Sequence, residues 1–111
     1  MKQPLRIGQG IPAPCCTLNV SGEDQERLVK MFKALGHPIR MEILKFLLTH
    51  PGCITGDLVE HLPIAQSTVS QHLKVLKQAG WIQGVIKGPA TNYCLHVANC
   101  RWFRAMVREI F

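Results

Sequence analysis

The chain has 111 residues, of which 47% are apolar and 18% charged, and its formal net charge is +6. This length fits one domain, and the composition excludes a disordered tail and a collagen-like chain. An isoelectric point near 9.4 favours a polyanionic partner, either nucleic acid or an acidic membrane surface. No apolar run reaches the roughly 18 residues of a spanning helix, and the N-terminus lacks the apolar stretch of a secretory signal. Five cysteines, an odd number, do not indicate a disulfide framework, so we expect a reducing, cytoplasmic location.

Prolines and glycines separate an arm from a domain. Residues 1–20 hold Pro4, Pro12 and Pro14, which prevent regular structure, and we expect a flexible arm there and one domain over residues 21–111. In that domain apolar residues recur at helical spacing. They predict a first helix between a Ser21 cap and a Gly36 stop, and a second helix over residues 38–50.

Residues 55–79 have the spacing of a helix-turn-helix. A short helix capped by Thr55 and closed by Pro63 is followed almost directly by a helix from about Ala65 to Ala79, which Gly80 stops. The second of these helices begins with short hydroxyl and amide side chains, which suit hydrogen bonding to base edges and phosphates in a major groove. The candidate reading residues are Gln66, Ser67, Thr68, Ser70, Gln71 and His72. The alternative is that these residues form an ordinary solvent-exposed helix face. That alternative explains less well why Ser and Thr, which are mediocre helix formers, are concentrated at this position.

The periodicity changes after Gly80. Residues 81–87 and 92–97 are short β-prone runs around a turn at residues 88–91, and a last helix is predicted from about Asn99 to Phe111. The predicted class is therefore mainly α with a small β-hairpin, in which the hairpin is the wing of a winged helix-turn-helix.

The last helix carries a wide apolar face. Its members are Trp102, Phe103, Met106, Val107, Ile110 and Phe111. Little of the domain remains to cover this face, so a second copy of the chain is the simplest partner. The alternative is that the face docks on the first helix of its own chain.

Two segments together resemble the ArsR/SmtB repressors. Residues 32–44, FKALGHPIRMEIL, are similar to the junction of the family's first and second helices, and residues 67–76, STVSQHLKVL, are similar to its recognition helix. The resemblance implies a homodimer with the first and last helices at the interface, where Leu28 and Phe32 would join the apolar face of the last helix. It also implies operator binding and release by an inducer. Pro89 stands where the family usually has a basic wing-tip residue, which leaves Lys87 as the nearest phosphate contact, with Arg40, Lys74 and Lys77 as further candidates.

Three of the cysteines suit a soft, thiophilic ion. Cys15 and Cys16 are adjacent in the arm, where a small core residue has little reason to be, and thiolates select soft centres over Mg²⁺ or Ca²⁺. Trivalent arsenic takes three sulfurs, and we expect Cys53, at an exposed junction, to be the third. The chain also resembles an arsenite-responsive subgroup whose arm carries Cys-Cys-Thr-Leu, as at residues 15–18, and whose lone cysteine follows a glycine. In that subgroup the pair from one subunit and the lone cysteine of the other bind one As(III).

Other inducer sites of the family lack their ligands here. The better-known arsenic pattern, two cysteines in the third helix, would fall at Ile54 and Gly56, and the zinc-type site of the last helix finds only Glu109. We interpret Cys94 as a packing residue. Cys100 is ambiguous: packing is favoured over ligation, and a redox pair with Cys53 stays open. The second helix lacks the cysteine that sulfide-sensing relatives use.

The sequence therefore predicts a repressor that binds operator DNA as a homodimer. Binding of As(III), and similarly of Sb(III), would release it from the DNA, and no organic cofactor is expected. One alternative keeps the fold and makes the protein a thiol redox or persulfide sensor. Another is a cytosolic thiol metal-carrier, which would show no salt-dependent duplex binding. No Ser-His-Asp or Cys-His arrangement, phosphate loop or paired carboxylates indicate an enzyme.

Overall fold

The computed structural model describes residues 19–110, which form five helices and one antiparallel hairpin. In chain order these are α1 (Gly22–Leu35), α2 (Pro38–Thr49), α3 (Thr55–His61), α4 (Gln66–Ala79), β1 (Ile82–Lys87), β2 (Ala90–Leu95) and α5 (Val97–Ile110). The prediction of a mainly α fold with a small hairpin is confirmed. None of the helices in this span is long and apolar enough to cross a bilayer. Phe111 and residues 1–18, which hold most of the predicted arm, lie outside the described residues.

Local start and stop signals place most helix ends where the sequence predicts them. Ser21 occupies the N-cap position of α1, although its side chain makes no capping hydrogen bond. His37 caps α2 with its ring, because Nδ1 accepts a hydrogen bond from the Ile39 N–H at 3.1 Å. Gly80 ends α4 with a φ of 98°, a left-handed conformation that only glycine adopts at little cost.

Two predicted helix starts are wrong by one or two residues. Thr55 is the first residue of α3 rather than its cap, and Ile54 holds the cap position. The Asp57 carboxylate accepts a hydrogen bond from the Ile54 N–H at 2.9 Å, which is the half of a capping box that an acid at the third helical position supplies. The last helix begins at Val97 instead of Asn99, because the ring of His96 caps it by accepting from the Asn99 N–H at 3.3 Å.

The hairpin is tighter than predicted. Its strands pair from Ile82 opposite Leu95 to Lys87 opposite Ala90, which leaves a two-residue turn in place of the predicted four. Gly88 has a φ of 62° and Pro89 is restricted to a negative φ, which is the pattern of a type II′ turn. The wing tip therefore consists of Gly88 and Pro89 alone, and neither of them is basic.

One core joins the helices to the base of the wing. Its most deeply buried side chains come from α1, α2, α3, α4 and β1, and include Met31, Ile43, Leu58, Leu73 and Ile82. Trp81 is also buried, and its indole N–H donates to the Met31 carbonyl oxygen at 2.7 Å. This hydrogen bond ties the start of the wing to α1.

Cys53 does not lie at an exposed junction, as the sequence had suggested. It is only 6% exposed, and its backbone forms an isolated antiparallel bridge with Tyr93 of β2. The Gly52 N–H donates to the Tyr93 carbonyl oxygen and the Tyr93 N–H to the Cys53 carbonyl oxygen, both at 2.8 Å. This pairing buries the thiol, because it holds the segment against the wing and the core.

Candidate nucleic-acid interface and thiol site

The polar face of α4 is presented to solvent. The apolar residues Val69, Leu73 and Leu76 are buried and hold the helix on the core. The opposite face therefore points outward from a fixed support. Its exposed members are Gln66, Ser67, Thr68, Ser70, Gln71, Lys74 and Lys77. The shorter α3 packs against α4, as in a helix-turn-helix, so the face has the shape and the hydrogen-bonding groups to enter a major groove.

His72 and Arg40 lie beside this face and contact each other. Arg40 is half-buried, its Nε donates to the Ala34 carbonyl oxygen, and its Nη1 lies 3.4 Å from His72 Nδ1. Since a guanidinium only donates, Nδ1 accepts and the imidazole proton sits on Nε2. The ring of His37 lies 4.6 Å from that of His72. Burial, His37 and Arg40 together lower the pKa of His72, so the ring is held neutral.

We expect His72 to make stability depend on pH. Its ordinary pKa is 6.5, and a lower value in the folded protein means that the unfolded chain binds a proton first as the pH falls. The contribution of the neutral His72 ring to the free energy of unfolding is complete above pH 6.5, and it is lost as the pH falls from there towards the lowered pKa of the folded protein. Thermal unfolding at about pH 7.5 and about pH 5.5 should therefore show a larger fall in midpoint for the natural protein than for His72→Gln. Equal falls would contradict the lowered pKa.

The wing follows α4 directly. Lys87, the candidate phosphate contact, is the last residue of β1, next to the turn. The face of the hairpin that buries Ile82 in the core continues outward to Ile86, which is 79% exposed. The wing is thus anchored at its base and free at its tip.

The Cys53 thiol lines an open cleft of about 420 Å³ between α2 and α3. The other lining residues are Phe46, His50, Asp57, Glu60 and His61. The rings of His50 and His61 lie 4.1 and 4.6 Å from that of Phe46, which forms the aromatic wall of the cleft. The cleft offers an incoming ion or chain segment an approach to Cys53, whose backbone is paired with β2.

Burial, and secondly the negative charge of Asp57, raise the pKa of Cys53 to about 11. Burial also raises the pKa of Cys100, and the nearby Arg104 only partly offsets this. Cys53, Cys94 and Cys100 are free thiols, and the Cys100 thiol lies 3.9 Å from the Trp81 carbonyl oxygen. Redox-sensing cysteines are exposed and have lowered pKa values, so the environment of Cys53 and Cys100 does not favour an oxidant-sensing pair.

Residues 19–110 contain no group of three or more histidine, cysteine or acidic side chains arranged to hold a metal ion. Of the three predicted arsenic ligands only Cys53 is among them, and Cys15 and Cys16 lie outside the described residues. A complete site at Cys53 therefore needs donors from beyond this part of the chain.

The predicted dimer face divides into two groups. Leu28 and Ile110 are 4% exposed and are already covered by their own chain. Phe32 is 43% exposed, and its ring meets that of Phe103 edge-on at 4.8 Å. Phe103 is half-buried, as are the other members of the face, Trp102, Met106 and Val107. The face therefore packs partly on α1 of its own chain, as one interpretation held. It also leaves an apolar strip open for a second copy, as the other held, and this open strip consists of Phe32, Trp102, Phe103, Met106 and Val107.

Sequence reasoning missed the role of Asp57, which caps α3 and raises the pKa of Cys53. The available signal was an acid three residues after the chain leaves the extended segment, as in a capping box. The contact between Arg40 and His72 spans 32 positions and had no local signal.

The chain is similar to one family of known proteins. Residues 37–83 match the model of a family described as bacterial regulatory protein, arsR family. A helix-turn-helix transcriptional regulator of Methanocaldococcus jannaschii is 35% identical over 71 residues, which cover 64% of this chain and 80% of that protein. The transcriptional repressor SmtB of Mycobacterium tuberculosis is 36% identical over 91 residues, covering 79% and 62%. A "probable mercury resistance operon repressor" of Streptomyces lividans is 29% identical over 93 residues, covering 84% and 70%.

Solved structures show the same fold. An ArsR-like transcriptional regulator from Rhodococcus superimposes with a TM-score of 0.69 at 24% identity, covering 76% of this chain and 78% of that one. A structure titled "possible transcriptional regulator for arsenical resistance" has a TM-score of 0.63 at 26% identity, covering 71% and 80%. A homodimeric winged helix-turn-helix domain from Mycobacterium bovis has a TM-score of 0.65 at 20% identity, covering 76% and 77%. These likenesses confirm the predicted winged helix-turn-helix.

Proposed function

Because the chain belongs to the ArsR family of bacterial regulatory proteins, we propose that it is a transcriptional repressor that binds operator DNA as a homodimer in the cytoplasm and is released by As(III). The observation that carries the DNA-binding part is the exposed polar face of α4, held on the core by Val69, Leu73 and Leu76. Gln71 and Ser67 would read base edges, while Lys74 and Lys77 would contact phosphates.

The homodimer would form through the open strip on α1 and α5. Phe32 and Val29 leave 43% and 48% of their surfaces exposed on α1, next to the half-buried aromatic residues of α5. A two-fold axis through this strip would place two copies of α4 on one side, which suits a palindromic operator. The homodimeric domain from Mycobacterium bovis supports the proposal at the level of the fold.

The inducer site would combine Cys53 of one protomer with Cys15 and Cys16 of the other. Arsenous acid would exchange its three As–O bonds for three As–S bonds, and each oxygen would leave as water with the proton of a thiol. Three sulfurs are the donors that a soft trivalent centre prefers. The mercury repressor and the arsenical-resistance regulator among the similar proteins support a thiophilic inducer, and Sb(III) should act in the same way.

Cys53 is connected to both parts that flank the reading helix. Its backbone pairs with Tyr93 in the wing, and Ile54, the cap of α3, is the next residue. Drawing the thiol towards the other protomer would therefore displace the wing and α3 together. A coupling of about 1–3 kcal/mol between inducer and DNA lowers the affinity for the operator about 5- to 150-fold.

The raised pKa of Cys53 predicts that its thiol reacts slowly and that Asp57 contributes to this low reactivity. With a pKa of about 11, only about one thiol in a thousand is a thiolate at pH 8, and the thiolate is the attacking form. We expect Asp57→Asn to raise the rate of Cys53 alkylation by iodoacetamide several-fold at low salt. The amide oxygen can still accept from the Ile54 N–H, while the charge that raises the pKa is gone.

Glu60→Gln is the matched control, because Glu60 lines the same cleft and is not among the groups that shift the pKa of Cys53. The rates are measured by mass spectrometry on a Cys94→Ser/Cys100→Ser background. Equal rates for the two variants would show that Asp57 does not control the thiol.

The proposed function is tested by a mobility shift on a palindromic duplex from upstream of the gene. A repressor should lose affinity steeply as salt rises, because Lys and Arg contacts release counterions. Arsenite should release the duplex, whereas an oxidant without metalloid should not. Release by oxidant alone would support the redox alternative, and absence of any salt-dependent binding would support the metal-carrier alternative.

A further inference from the structure

A second cleft, of about 270 Å³, lies between α1, α2 and α4. Three cationic side chains line it, Lys30 and Lys33 from α1 and Arg40 from α2, together with Gln78 of α4. Its remaining lining residues are Ala34, Val75 and Ala79. It is separate from the thiol cleft and shares no lining residue with it.

The lining of the cleft carries an excess of positive charge. Within the described part of the chain no carboxylate lines it, and the one ion pair found there joins Lys45 to Glu42 elsewhere on α2. Glu23 and Glu26 line neighbouring depressions on the outer side of α1 that share Lys30 with the cleft, so these two acids border the cationic cluster without lining it. Three like charges around one cleft repel each other, and the attraction of an anion between them would offset that repulsion.

Arg40 is held in place for such a role. The Ala34 carbonyl oxygen at the end of α1 accepts from Nε, which leaves the outer edge of the guanidinium for a second partner. That edge now points Nη1 at His72 Nδ1, 3.4 Å away. Val75 and Ala79 follow His72 by three and seven positions on α4, so the cleft and the His72 ring lie on the same face of the reading helix.

We propose that this cleft binds a phosphate group or another tetrahedral oxyanion between Lys30, Lys33 and Arg40, with Gln78 as a neutral donor. Occupation would draw Arg40 away from His72. The site is thereby linked to the α4 face that the proposed function assigns to DNA, and it would adjust how that face is presented. The guanidinium fork and two ammonium groups are the donors that suit such an anion.

The phosphate could belong to the operator backbone or to a free anion, and the experiment separates these sources. The test variant is Lys30→Gln/Lys33→Gln, because both lysines are exposed and their loss should leave the fold intact. The control variant is Arg101→Gln/Arg104→Gln, which removes the same charge from exposed positions on α5. Arg40 is left unchanged because it also caps α1.

For a free anion, the thermal unfolding midpoint of the dimer without DNA is followed against sodium phosphate, with sodium chloride at equal ionic strength as reference. We expect a saturable rise in the natural protein and the control, and none in the lysine variant. The His72 ring signals in ¹H–¹⁵N NMR should shift with the same saturation curve. For a backbone phosphate, the slope of log K against log salt on the operator should fall in the lysine variant by about 0.9 for each lost contact, beyond any fall in the control.

Either specific effect supports the site and identifies the source of the phosphate. The proposal is overturned if phosphate acts no differently from chloride and both double variants have equal salt slopes. It is also overturned if the lysine variant retains the full phosphate response and has the same salt slope as the control. The phosphate titration uses no DNA and no arsenite, so its failure is distinct from a failure of the proposed function.

Discussion

Replacing Cys53 by serine should abolish the release of operator DNA by arsenite while DNA binding without inducer is retained. Serine keeps the shape of the side chain but removes the soft donor, so a three-sulfur site becomes a two-sulfur site. The 5- to 150-fold fall in affinity that a coupling of about 1–3 kcal/mol represents would then disappear. Fluorescence anisotropy of a labelled operator, titrated with and without arsenite, measures both quantities. Cys94→Ser is the control, since that half-buried thiol lies on β2 and its loss should leave the response unchanged.

Cys15→Ser and Cys16→Ser should have the same effect as Cys53→Ser, because each removes one of the three proposed sulfurs. If all three single variants still respond to arsenite, the assignment of the inducer site is wrong.

Mixed dimers test whether the site crosses between protomers. One protomer carries Cys15→Ser/Cys16→Ser and the other carries Cys53→Ser. If the site combines both protomers, the mixed dimer keeps one complete set of three thiols and regains a partial arsenite response. If the site lay within one protomer, neither protomer would have a complete set and no response would return.

The second large effect is expected from Phe32→Glu. Phe32 is 43% exposed and lies edge-on to Phe103 at the open strip, so a carboxylate there would be buried without a partner in the proposed dimer. We expect monomers at concentrations where the natural protein is dimeric. Operator affinity should fall by two orders of magnitude or more, because the two reading helices no longer bind as a unit. Analytical ultracentrifugation and mobility shifts measure these outcomes.

Leu48→Glu is the matched control, because Leu48 is a 65% exposed apolar residue near the end of α2, outside the proposed interface. Circular dichroism of both variants shows whether the fold survives. A folded Phe32→Glu variant that remains dimeric would place the interface elsewhere on the surface.

The helix-turn-helix could be predicted from the sequence because its signals are local. The spacing of Val69, Leu73 and Leu76 identifies the buried stripe of α4, and Gly80 identifies its end. The cap of α3 was misplaced because the cap residue, Ile54, has no hydroxyl, and the polar group that bonds to its N–H is Asp57, three residues later. The hairpin turn was predicted two residues too long. Ala90 and Thr91 belong to β2 because they pair with Lys87 and Ile86 of β1, and strand preference depends on such cross-strand neighbours.

The candidate sites divide in the same way. The sequence shows directly that the chain has five thiols and an excess of basic residues, and its periodicity predicts the polar face of α4. The burial of Cys53 depends on Tyr93, 40 positions later, and the orientation of His72 depends on Arg40, 32 positions earlier. The cationic cleft likewise needs three separate helices to meet. Helix periodicity and capping act within a few residues, so the sequence alone determined the elements and the reading face. Desolvation and charge interactions depend on distances through space, so only the tertiary structure decided which thiol is shielded, which cations converge and which ring stays neutral.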